Sequence, residues 1–88
     1  MNTIDLERSL KALANRKRLM ILKELKKRGS MNVSTIAKVI GLSMQATSTY
    51  LQRLSVLGIV TSKKRRQTVF YRLSLNQNPP NRHILSLL

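Results

Sequence analysis

The sequence predicts one mainly α domain that closes with a small β-hairpin. Two observations carry that prediction. From Thr3 to Leu57 apolar residues recur at helical spacing, in runs bounded by cap residues and by Gly29, Gly41 and Gly58. After Gly58 the period changes to the alternation of strands. The chain has 88 residues, 42% of them hydrophobic, which suits one modest core and one domain over residues 1–88.

The first helix is "NTIDLERSLKALAN". Asn2 or Thr3 can cap it, Asp5 and Glu7 suit the positive end of its dipole, and Ile4, Leu6, Leu10 and Leu13 give its apolar side. Asn15 is a fresh cap for "RKRLMILKELKKRG", in which Leu19, Leu22 and Leu25 repeat every third residue. Gly29 ends that helix after Lys26, Lys27 and Arg28, cations that the negative end of a helix dipole favours. Asn32 caps a short third helix, "VSTIAKVI", with Val33, Ile36, Ala37 and Ile40 as its stripe. Gly41 terminates it and tolerates positive φ. Ser43 caps a fourth helix that turns Leu51, Leu54 and Leu57 inward.

Two short helices joined by a three-residue, glycine-containing turn make a helix-turn-helix, over about residues 33–57. "IVTSKKRRQTVFYRLSL" then reads as two strands with a basic tip, a wing over about 59–75. Val69, Tyr71, Leu73 and Leu75 share one face, and Thr68, Phe70, Arg72 and Ser74 the other. The hairpin lacks the Asn-Gly or Asp-Gly of a tight turn. "NQNPPN" reads as a breaker, and a last short helix follows over about 81–88, capped by Asn81. The expected architecture is a winged helix-turn-helix.

Charge limits the partners. There are 17 Lys and Arg against 3 Asp and Glu, a formal charge of +14. Self-repulsion of that size destabilises a compact fold and makes a polyanion the expected compensating partner. At 3% aromatic residues the chain is poorly equipped to stack unpaired bases, so double-stranded DNA is favoured. Without cysteine there is no disulfide, thiolate metal site or cysteine nucleophile. Three carboxylates, Asp5, Glu7 and Glu24, assemble no acid–base pair, so an enzyme is not expected, nor a metal or cofactor. The uncharged stretch from Val39 to Gln52 is too short and polar to span a membrane, and the first residues lack the order of a secretory signal. No membrane association and a cytoplasmic location are the expectations.

The sequence resembles the ArsR/SmtB family of bacterial and archaeal repressors over roughly residues 6–75. "LKALANRKRLMILKEL" is similar to that family's opening, "MNVSTIAKVIGLSMQATSTYLQRLSVLGIV" to its helix-turn-helix, and "QTVFYRLS" to its second wing strand. The resemblance implies a DNA-binding transcription regulator, a homodimeric repressor, whose fourth helix enters the major groove. It also implies where a sensor would lie: cysteines in the third helix, or carboxylate and histidine ligands on the last. Here those places hold "VSTIAKV" and a single His83. No metal or thiol sensor is recognisable, and the small-molecule effector is unknown.

The fourth helix is rich in weak helix formers without charge. A solvent face built for stability would use Glu, Lys and Ala in place of Ser48 and Thr49. Uncharged hydrogen-bonding side chains suit base edges instead, which makes Gln45, Ser48, Thr49 and Gln52, with Met44 at the margin, the expected base-reading set. Gln45 or Gln52 can engage adenine, and Met44 or the Thr49 methyl can touch a thymine methyl. Similar proteins often carry Gln in place of Met44 and His in place of Tyr50, so base preference is not expected to transfer. Two readings of Tyr50 stand side by side: a residue serving the family histidine's role, or a packed ring whose hydroxyl reaches a phosphate.

Phosphate contacts are expected from Ser43, Tyr50, Arg53 and the wing-tip residues Lys63, Lys64, Arg65 and Arg66. Arg16, Lys17 and Arg18 stand at a helix N-terminus, where the dipole disfavours cations by roughly 0.3–1 kcal/mol each. A phosphate held there by backbone N–H groups and these side chains would reverse the sign. Ile4, Leu6, Leu10, Ile84, Leu85 and Leu88 are the expected dimer contacts, with Leu87 beside them. The competing class is an architectural or nonspecific nucleic-acid-binding protein, favoured by the charge and the missing sensor.

Overall fold

The computed structural model describes residues 2–88, the side chains of Ser9, Leu10, Ala12, Leu13 and Ala14 excepted. The expectations for Leu10 and Leu13 therefore fall outside the described residues. The element order is α1 (Thr3–Ala14), α2 (Arg16–Arg28), β1 (Met31–Asn32), α3 (Val33–Ile40), α4 (Met44–Val56), β2 (Val60–Arg65), β3 (Thr68–Leu73) and α5 (Pro79–Ser86). This is the mainly helical winged helix-turn-helix, with a sheet of three antiparallel strands in the order β1-β3-β2.

Most of the punctuation works through side-chain oxygens that accept otherwise unpaired helical N–H groups. Asn2 Oδ1 accepts from Asp5 N–H at 2.8 Å, Asn32 Oδ1 from Thr35 at 2.8 Å and Ser43 Oγ from Ala46 at 3.1 Å. Asn15 Oδ1 takes two, from Lys17 at 3.0 Å and Arg18 at 3.3 Å. Gly41 ends α3 at φ +75 in the left-handed region, where a side chain would be strained.

The core forms where α2, α3, α4 and the sheet meet. Ile21, Leu22 and Leu25 of α2 pack with Ile36 and Ile40 of α3, Leu51 and Leu54 of α4, and Ile59, Val60 and Tyr71 of the wing. At about 1.5–3 kcal/mol for each fully buried aliphatic side chain, this cluster is the main stabilising term. It fixes α4 by one face and leaves the opposite face to solvent.

Three expectations need correction. The final helix starts at Pro79, and Asn78, not Asn81, caps it by accepting from Asn81 N–H at 3.0 Å. Proline lacks the N–H that a first helical turn leaves unpaired and its φ is already helical, so Pro79 and Pro80 open the helix rather than break it. Asn81 is buried inside it. Leu75 lies beyond the end of β3 and is 86% exposed, so the apolar face of that strand stops at Leu73. The wing also has a third strand: Met31 and Asn32 pair with Tyr71 and Phe70. Gln77 Nε2 donates to Ile59 O at 2.8 Å and Ser74 O at 3.0 Å, tying the segment before α5 to the base of the wing.

Candidate nucleic-acid interface

α4 divides cleanly. Thr47, Leu51 and Leu54 are fully buried, while Met44, Gln45, Thr49 and Gln52 are exposed and Ser48 is half-buried. All five expected base-reading side chains thus lie off the buried stripe of one rigid helix. Thr49 is partly committed: its hydroxyl donates to Gln45 O at 3.0 Å, one turn back. What it can offer a groove is a lone pair and a methyl. Thr47 does the same to Ser43 O at 2.8 Å, which is how a hydroxyl comes to be buried there.

The cations around this helix have distinct roles. Lys17 Nζ donates to Ile40 O at 3.1 Å, where the last carbonyls of α3 attract a positive charge. It ties α2 to the turn of the helix-turn-helix. The Arg18 guanidinium lies 5.2 Å from the centroid of the Tyr50 ring, a cation–π contact, and Tyr50 is half-buried against the core. That burial favours the packed reading of Tyr50. Arg16 and Arg53 are exposed. The expected convergence of backbone N–H groups on a phosphate at the start of α2 meets a competitor, because Asn15 already accepts from Lys17 and Arg18 N–H. An anion there would rely mainly on side chains.

The wing tip is a two-residue loop, Arg66 and Gln67, closing the pair Arg65–Thr68, with Arg66 at φ +56. Lys63, Lys64, Arg65 and Arg66 are all exposed, but strand alternation splits them. Lys64 lies opposite Val69 on the face that continues into the core, whereas Lys63 and Arg65 share the outer face with Phe70 and Arg72. Those four and Ser30 border a polar groove of about 540 Å³. Arg72 belongs with the wing cations and was not among the expected phosphate-binding residues, although its place on the outer face was readable from the alternation.

The apolar ends divide too. Ile4 of α1 is 63% exposed, Leu6 is exposed and Leu87 is 72% exposed, while Ile84 and Leu88 are half-buried against the core. Leu85 is a correction: it is buried in its own core and not open to a partner, and its carbonyl accepts from Lys26 Nζ at 2.8 Å. Among the described residues no three His, Asp or Glu side chains cluster as metal ligands, and no helix is long and apolar enough to cross a membrane.

The family model described as bacterial regulatory protein, arsR family, matches residues 15–62, more than half of the chain and the whole stretch from α2 into β2. This chain belongs to the arsR family. The nodulation protein NolR of Rhizobium meliloti is 40% identical over 62 residues, covering 70% of this chain and 50% of that protein. The transcriptional activator HlyU of Vibrio cholerae is 42% identical over 65 residues, covering 74% of this chain and 59% of HlyU. The chain thus spans only half to three fifths of these two relatives. In structure, HlyU from Vibrio cholerae superposes with a TM-score of 0.82 at 34% identity, over 98% of this chain and 89% of that one. A homodimeric winged helix-turn-helix DNA-binding domain from Mycobacterium bovis superposes with a TM-score of 0.79 at 30% identity, over 94% and 73%. The arsR family is one of transcription regulators rather than enzymes.

Proposed function

We propose that this arsR-family chain is a sequence-specific regulator that binds double-stranded DNA in the cytoplasm, as a homodimeric repressor. One observation carries the reading: α4 presents an exposed face of uncharged hydrogen-bonding side chains, fixed to the core by Leu51 and Leu54 and flanked by cations of α2 and the wing. Amide and hydroxyl groups discriminate base edges; the surrounding Lys and Arg hold phosphates on any sequence. Gln45, Ser48, Thr49, Gln52 and Met44 read. Arg16, Arg18, Arg53, Lys64, Arg65 and Arg66 anchor, Ser43 and Tyr50 contribute at the margin, and Lys17 and Lys63 add charge. The homodimer has support from the Mycobacterium bovis domain and from exposed Ile4, Leu6 and Leu87.

A charge of +14 favours a second reading, a nonspecific architectural protein. Selection of bound fragments from genomic DNA, followed by titration against operator and scrambled duplex, separates the two. A specific regulator prefers its operator by about 10³-fold or more, and a ratio near one would leave the architectural reading standing.

A further inference from the structure

A second concavity lies where α1 and the start of α2 meet the flank of α4. It is an open groove of about 570 Å³, within the ~300–1,000 Å³ usual for small-molecule sites. Its lining is largely apolar and includes Val56, 88% exposed, and Leu57 at the end of α4. Arg8 and Lys11 of α1, Arg18 of α2 and Arg53 of α4 line it as well. None of the chain's three carboxylates lines it; Glu7 meets Lys11 at 3.2 Å, but both side chains are largely exposed and the pair is weak. Arg18 Nε is enclosed and has no hydrogen-bond partner among the described residues.

Exposed apolar surface beside four cations does not suit an inorganic anion, which has no use for the apolar part, nor a neutral oil, which has none for the charges. We propose that this groove binds a small amphipathic organic acid free in solution, its carboxylate held by the arginines and its hydrocarbon body laid on Val56 and Leu57. Charge complementarity chooses the head group, and the exposed side chain of Val56 chooses the tail. The groove is also bordered by Thr49 and Gln52 of the reading face. An acid seated there occupies the flank of the helix that must enter the major groove, so acid and operator exclude one another. That second step rests on the proposed DNA-binding function; occupancy of the groove does not.

Decanoate below its micelle concentration is the probe, with 1-decanol and acetate as the uncharged and tail-less controls, followed by amide NMR of the DNA-free protein. Decanoate should shift resonances of Arg8, Lys11 and residues 49–57, with decanol and acetate each weaker by about tenfold or more, because each lacks one half of the recognition. Val56→Ser and Arg8→Gln, both outside the proposed DNA contacts, should weaken decanoate about fivefold or more while leaving operator affinity without decanoate unchanged. Saturating decanoate should lower operator affinity by about tenfold or more. Shifts confined to the wing, decanol binding as tightly as decanoate, or no response to either substitution would overturn the site. Shifts at residues 49–57 that vanish on dilution of the protein alone would assign the groove to a second copy and overturn it too. Binding in the groove with operator affinity untouched would overturn the exclusion. If decanoate binds as expected and no DNA is selected, the site stands and the DNA-binding reading falls.

Discussion

Gln45 and Lys64 stand for the two proposed ways of holding a duplex, and their chemistry predicts different losses. A hydrogen bond to a base edge exists only on the right sequence, whereas counterion release accompanies the neutralisation of any phosphate. Gln45→Ala or Ser48→Ala should relax preference at one position per half-site by about 1–3 kcal/mol for a good bidentate pairing. Lys64→Ala or Arg65→Ala should weaken operator and scrambled DNA alike. The slope of log K against log salt should become shallower by about 0.9 for each phosphate left without its cation. Titrations of both duplexes at several salt concentrations check this; if Gln45→Ala weakened both equally, Gln45 would not be a reading residue. Arg66 adds a prediction about the fold. It is the one residue besides glycine, among those described, with positive φ, at +56. An L side chain there costs about 1–2 kcal/mol. Arg66→Gly should therefore be more stable than Arg66→Ala by about 1 kcal/mol, since both remove the same charge. Equal urea midpoints for the two would mean that the loop carries no such strain.

Among elements, caps carry the most readable signals. Asn15 accepts two N–H groups at the α1–α2 boundary, so Asn15→Ala should cost about 1 kcal/mol, within the ~0.5–2 range for removal of a cap. Thermal unfolding would register that as a drop of about 4–8 °C for a domain of this size, and an unchanged midpoint would mean water replaces the cap at no cost. The helices, the turn at Gly41 and the hairpin were legible because each depends on local chemistry: a side-chain oxygen two or three residues before its donor, a glycine at positive φ, a change of period. What was illegible depends on tertiary placement. β1 is two residues long, and Asn32 serves as both strand and cap, so no pattern announces it. Pro79 and Pro80 break a helix or begin one according to what precedes them, and it is Asn78 that decides. Lys17 and Leu85 were assigned by charge and hydropathy alone. Their partners, Ile40 O and the core beside α2, lie far away along the chain. The exposed polar face of α4 was legible for the opposite reason, since its weak, uncharged helix formers stand out against a lysine-rich chain.

At the scale of the whole molecule, the proposed homodimer has to reconcile a +14 charge with exposed apolar side chains on the first and last helices. α1 packs against α5, so exposed Ile4 and Leu6 on the first helix and Leu87 at the end of the last belong to neighbouring elements. A two-fold interface through such a surface covers the same residues on both copies, and DNA across the two reading helices offsets the repulsion that doubling the charge creates. In the proposed dimer the two copies of α4 should lie about one duplex turn, ~34 Å, apart and read a near-palindrome. Ile4→Lys with Leu87→Glu changes only exposed positions, so the fold should survive and far-ultraviolet dichroism should be unaltered. Sedimentation should show the unsubstituted chain as a dimer at tens of micromolar and the double variant as a monomer. The variant's operator affinity should fall by about 10²-fold or more, because the second half-site is no longer brought to the duplex by the first. Its affinity for an isolated half-site should stay within about twofold of the unsubstituted chain, since α4 and the wing are untouched. An unsubstituted chain that sediments as a monomer both free and on DNA would refute the dimer, as would a monomeric variant that bound the full operator undiminished.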